Sequence, residues 1–158
     1  MPDTKDSIDR SDFMGLPLRV EAKGGAFADE IVAVTRMSDG RYLVRLSPGF
    51  VRGVAAGDVI DYDEASKSAN VIERGGNIAV QVFHRGIAEE IIATLKRNTV
   101  EVGGRVDGEL SSLVVLTFPL DIGFPAIESV LARLPEAGIE WDYGNVFDAQ
   151  GEPLSWWK

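Results

Sequence analysis

The sequence predicts an α+β protein in two units, a small β-barrel-like or curved-sheet unit followed by a unit in which strands and helices alternate. Three observations carry this. Residues 51–62, VRGVAAGDVIDY, combine a bend, a compact turn and the restart of a strand: Gly53 and Gly57 allow backbone angles that residues with a Cβ avoid, and Asp58 can bond its own turn. Glycine turns recur at short spacing before residue 77. After it, a strand period of two and a helical period of about 3.6 follow one another along the chain.

Residues 1–12 hold four Asp, two Ser and almost nothing apolar. They cannot offset the entropy of ordering and are expected to form a disordered tail. The N-terminal β unit covers residues 13–76. Its first strand is read at 30–35, β-branched and extended in character; Ser38-Asp39-Gly40 makes a hairpin turn, and 42–46 alternates polar with apolar to pair antiparallel with it. Pro48 and Gly49 break that strand, and the bend at 50–57 leads to a third strand at 59–62. Polar residues 63–70 read as a loop, and Val71-Ile72-Glu73 as a fourth strand before the Gly75-Gly76 turn. Short strands joined by glycine turns suit a small barrel or a curved sheet.

The second unit covers residues 77–146. Ile78, Val80 and Val82 alternate in a strand that ends near Phe83, and Gly86 is the junction to a helix. Over 87–98, Ile87, Ala88, Ile91, Ile92 and Leu95 recur at helical spacing, with Glu89 and Glu90 early and Lys96 and Arg97 late, as the helix dipole favours. Residues 99–102 predict a short strand, Gly103-Gly104 and Asp107-Gly108 mark turns, and 112–118 is an apolar strand expected to be buried on both faces. Pro119 and Pro125 bracket the start of a second helix, with Ile127, Val130, Leu131 and Leu134 as its inner stripe and Gly138 placed for its cap. A last strand is read at 139–146. Strand, helix, strand, strand, helix, strand is the order of a ferredoxin-like (βαββαβ) unit. Residues 147–158 form a C-terminal tail whose Trp156 and Trp157 are expected to pack on the two units, with an interaction surface as the other reading.

Composition narrows the function. The net charge is −9, with 10 basic and 13 acidic side chains (−3) in residues 1–76 and 6 and 12 (−6) in 77–158. Such a field repels nucleic acid and anionic lipid; solubility is the first reading of it, ahead of steering a basic partner inward. Neither 77–83 nor 112–118 carries the aromatics within a basic run that RNA-recognition domains use, so no nucleic acid is expected. There is no cysteine, hence no disulfide or thiolate ligand. The first residues carry no apolar leader and no run is long enough to span a bilayer, so a cytoplasmic protein without membrane contact is expected.

Candidate chemistry is sparse. His84, the sole histidine, sits in Phe83-His84-Arg85-Gly86 where a strand hands over to a helix, a plausible ligand position without a second metal ligand or an evident nucleophile. The carboxylates Glu89-Glu90, Asp107 with Glu109, and Asp61, Asp63 and Glu64 read first as solvated surface. Gly24-Gly25, Gly75-Gly76 and Gly103-Gly104 lack phosphate-loop spacing and read as turns. Arg36, Arg41, Arg45 and Arg52 could hold a small anion, but pairing with Asp29, Glu30, Asp39 and Asp58 is the preferred reading. No cofactor, metal or catalytic residue is assigned; the binding candidates are Arg52, His84, Arg85, Trp156 and Trp157.

The run of residues 42–46, Pro48, FVRGVAAGDVI at 50–60 and VIERGG at 71–76, followed by a strand into a helix, resembles an uncharacterised bacterial domain-of-unknown-function family, the 4265 family. The likeness spans about residues 31–146 and implies a bacterial cytosolic protein of this two-unit plan, with no assigned activity and no functional residues to transfer. The function expected is a non-enzymatic binding protein acting through a protein-protein surface, an immunity or antitoxin-like neutraliser of a basic domain being one form of it. The alternatives are a small-molecule-sensing regulatory domain and, behind it, an enzyme of unknown class.

Overall fold

A computed structural model describes residues 13–21, 23–148 and 150–157; the expected tail at 1–12 lies outside the described residues. Two antiparallel sheets and two α-helices give an α+β architecture. The first sheet contains β1 (Met14–Glu21), β2 (Phe27–Arg36), β3 (Tyr42–Val44), β4 (Val59–Asp63) and β5 (Ser68–Glu73), each beside its predecessor. Leu16, Leu18, Val32, Val34, Val44 and Ile60 pack with Val54 as its core. Alternation along each strand places them on one face.

This sheet is open, not a closed barrel. No ladder joins β1 to β5 among the described residues, although the Arg19 N–H donates to the Lys67 carbonyl at 2.9 Å where the edges approach. β1 lies where the sequence shows no clean strand pattern, because Gly15 and Pro17 interrupt the alternation. Both suit an edge strand: Pro17 has no N–H to give to a ladder, and a Cβ on Gly15 would run into Ile31 Cγ2. β5 begins within the segment expected to be a loop, directly after Lys67 turns the chain at φ 54°.

The second sheet contains β6 (Asn77–His84), β7 (Arg105–Leu110), β8 (Leu113–Pro119) and β9 (Ile139–Tyr143), in the order β7-β8-β6-β9. α1 (Glu89–Glu101) follows β6, and α2 (Phe124–Leu131) follows β8. Ile78, Val80 and Val82 of β6 and Val114, Leu116 and Phe118 of β8 are sealed against Ile92 and Leu95 of α1 and Ile127, Val130 and Leu131 of α2. Each such side chain contributes about 1.5–3 kcal/mol relative to exposure.

The opposite face of β6 and β8 meets the first unit. Gln81 donates to the Pro48 carbonyl at 3.1 Å, Thr117 bonds Ser47, and Leu113 and Val115 lie beside Gly49. The central strands are therefore buried on both faces, and the segment 47–57 is the layer between the sheets.

Of the boundaries that differ from the sequence reading, among them the last strand, which ends at Tyr143 and not at 146, three have a clear local reason. Residues 99–101 are helical, because α1 runs on to Glu101 and buried Thr99 donates its hydroxyl to the Leu95 carbonyl at 2.7 Å. Gly103, at φ 99°, lies just beyond the helix end, and the Gly104 N–H returns to the Thr99 carbonyl at 2.9 Å. The strand preference of Thr99 and Val100 is overridden by the burial of Thr99. Asp107-Gly108 makes no turn; a register shift between Val106 and Gly108 absorbs it within β7 and sends the Asp107 carboxylate into the interface. Gly138 does not cap α2, which ends at Leu131, but turns the chain into β9.

Candidate functional site

The two units meet along a groove of about 380 Å³ whose apolar lining includes Ile31, Pro48, Phe50, Leu110, Leu113 and Val115. β2 supplies its organising residue. The Glu30 carboxylate accepts the N–H groups of Gly49 at 2.6 Å and of Phe50 and Val51 at 2.9 Å each. Charge-assisted bonds of this kind are about twice as strong as neutral ones, so one acid fixes a loop that has no ladder of its own. The fixed loop presents Phe50, 47% exposed, with its ring centroid 6.4 Å from that of Phe83. Ile31 and Leu110, from the two sheets, are 66% and 59% exposed around the same groove. β7 forms one wall, and no strand pairs with its outer side among the described residues.

Beneath the groove the polar groups are spent on joining the units. Asp107 accepts from the Ser47 N–H at 2.9 Å and the Thr117 hydroxyl at 2.6 Å, and pairs with Arg105 at 2.7 Å. With the Thr117 proton so used, the Ser47 hydroxyl donates to Thr117 Oγ1 at 2.6 Å and accepts the Ala56 N–H at 3.0 Å. Arg105 also donates to the Arg45 carbonyl at 2.9 Å. The Ser47 hydroxyl thus staples the 47–57 segment to β8.

A second concavity, of about 480 Å³, opens at the end of β6 and is lined by His84, Arg85, Ser112, Glu136, Gly138 and Glu140. The backbone closes it: the His84 N–H donates to the Ser112 carbonyl at 3.0 Å and the Arg85 N–H to the Gly138 carbonyl at 3.2 Å. His84 is 8% exposed, and its Nδ1 is sealed from solvent without a hydrogen-bond partner among the described residues. An unpaired buried polar atom costs about 1–3 kcal/mol.

The sequence candidates separate into three places. His84 and Arg85 share this cleft. Arg52 is occupied at β9, where it pairs with Asp142 at 2.9 Å and donates to the Tyr143 carbonyl at 2.8 Å. Trp156 donates its indole N–H to the Asn145 carbonyl at 3.1 Å and lies under Arg74, while Trp157 packs on Trp156 and Phe124. Asn145 is tied to Asn77 and Ala79 at the start of β6, the opposite end from His84.

Among the described residues Arg41, Arg45 and Arg52 have separate partners and share no anion site. Arg41 pairs with Asp39 and Asp61, Arg45 stacks on Phe13, and buried Asp58 is partnered by Arg74 at 3.3 Å. Of the acids, Glu109 pairs with Lys96, and Asp63 accepts from Ser66 at 2.6 Å. Ile31, Phe50 and Leu110 are not among the binding candidates read from the sequence, where Glu30 enters only as an ion-pair partner for an arginine. An outward-facing apolar residue looks like an inward-facing one until the register is known.

Residues 29–142 match a protein family described as a domain of unknown function (DUF4265). A hypothetical protein from Neisseria gonorrhoeae has a similar solved structure, with a TM-score of 0.67 and 18% identity over 84% of this chain and 94% of that one. At that identity the likeness concerns the fold. No curated protein matches the chain. No helix among the described residues is long and apolar enough to cross a membrane.

Proposed function

Given that the chain belongs to the family described as a domain of unknown function (DUF4265), we propose that it is a non-enzymatic binding protein whose working surface is the groove between its units. The occupant is a segment of a partner protein, apolar on one side and basic on the other. One observation carries this reading: three large apolar side chains from three separate elements, Ile31, Phe50 and Leu110, stand exposed around one groove, and the Glu30 carboxylate fixes the loop that presents the aromatic one. Pre-ordering an aromatic anchor removes part of the entropy cost of association. The whole chain carries −9, which favours a basic partner.

The second unit is read as ferredoxin-like. Its element order, β6-α1-β7-β8-α2-β9, and its strand order, β7-β8-β6-β9, support that reading.

The test uses the purified products of the genes beside its own and the double variant Ile31→Asp, Leu110→Asp. Both side chains are exposed, so the variant should fold. At least one product is expected to bind the wild type, and the variant to weaken it by about 30-fold or more in a titration. Equal binding by both proteins, or none by either, overturns the reading.

A further inference from the structure

We propose that the cleft at the end of β6 is a second, independent site, which takes a small zwitterion of the α-amino acid class. Its lining is of mixed sign. Arg85, Glu136 and Glu140 all line it, yet the Arg85 side chain makes no ion pair or hydrogen bond among the described residues, and neither do the two carboxylates. Opposite charges that line one cleft without closing on each other are satisfied together by a body carrying both signs. A carboxylate fits against Arg85 and the Ser112 hydroxyl, and an ammonium against Glu136 and Glu140. A phosphate would meet two carboxylates, and a simple cation would meet the guanidinium.

His84 is the independent observation. It is more than nine-tenths buried in the wall of this cleft, and its Nδ1 has no partner. As placed, Nδ1 is sealed from the cleft, and a half-turn of the ring about Cβ–Cγ, which exchanges Nδ1 with Cδ2 without moving the backbone, is the movement by which a bound ligand would reach it. The backbone bonds from His84 to Ser112 and from Arg85 to Gly138 hold the walls in place. The volume, about 480 Å³, lies within the range of small-ligand sites.

The test is a thermal-shift screen of the intact protein with the proteinogenic α-amino acids. Each hit is compared with its carboxamide, its N-acetyl form and inorganic phosphate. At least one amino acid is expected to raise Tm by about 5 °C or more at about 100 times its Kd. The singly charged analogues and phosphate should not. Arg85→Met and Glu140→Gln alter exposed side chains and should abolish the shift without lowering the Tm of the free protein. His84→Gln, which keeps a polar group in the wall, should weaken binding about tenfold. The site is overturned if no amino acid shifts the wild type, if an analogue lacking one charge shifts it equally, or if the shift survives Arg85→Met and Glu140→Gln.

Discussion

At Asp58, burial and hydrogen bonding act in opposite directions. The side chain is sealed from solvent, and burial raises its pKa above the ordinary carboxylate value, while the N–H groups of Gly75 and Ala55 and the charge of Arg74 pull it down. The net shift is upward, so between its ordinary pKa of 3.8 and its higher folded value the native chain holds more protons than the unfolded one. Stability from this residue therefore falls as pH rises through that window. Asp58→Asn should remove the dependence. Urea titrations from acid to neutral pH should show the wild type losing ground to the variant with rising pH, on top of a constant cost from the Ala55 or Gly75 N–H that Asn leaves unpaired. A difference that grows in the wild type's favour would contradict the account. The sequence made the local part of this legible, since an Asp after Gly57 can bond its own turn, as it does to the Ala55 N–H. It did not make Arg74 legible, 16 residues away and positioned by Trp156 from the tail.

Among elements, the contact of Gly57 with Gly75 matters most for how β4 and β5 meet the start of β6. A Cβ on Gly75 would overlap the Gly57 backbone, so the two chains approach as closely as glycine allows. Gly75→Ala should cost about 3 kcal/mol or more by urea denaturation, because backbone and not a flexible side chain must give way. Gly53→Ala should cost about 1–2 kcal/mol, since it meets nothing nearby and bears the strain of φ 84° alone. Equal costs would show that close approach is not the reason for Gly75. At this scale the order of elements from residue 77 onward was legible from periodicity, and their edges were not. Thr99 and Val100 favour strands locally and are held in α1 by the burial of Thr99, and Asp107-Gly108 reads as a turn until a donor to the Asp107 carboxylate is found 60 residues away at the Ser47 N–H.

The molecule as a whole depends on the Asp107 network to make two sheets one object. Asp107→Ala strips the acceptor from Ser47, Thr117 and Arg105 in a buried place and should cost about 3–5 kcal/mol. It should also uncouple the units. Trp141 lies in β9 and Trp157 packs on Phe124 of α2, so with Trp156, which touches both units, replaced by Phe, fluorescence follows the second unit while circular dichroism follows both. The two signals should coincide in the unfolding of Trp156→Phe and separate when Asp107→Ala is added. Coincident transitions in the double variant would mean that the apolar contacts alone couple the units. This joint, like the candidate groove above it, was hidden in the sequence, because its parts lie at 30, 47, 107 and 117 and no short pattern links them.

The layer between the sheets has a consequence for biosynthesis. Residues 47–57 leave the ribosome with the first half of the chain, yet the strand face they cover includes Leu113, Val115 and Thr117. A nascent first unit can fix the 49–51 loop at once through Glu30, but one side of that loop stays wet until β8 has emerged. The newborn protein thus passes through an interval in which its inner seam is open to whatever else is nearby, and the speed at which residues 77–119 are translated sets how long that exposure lasts.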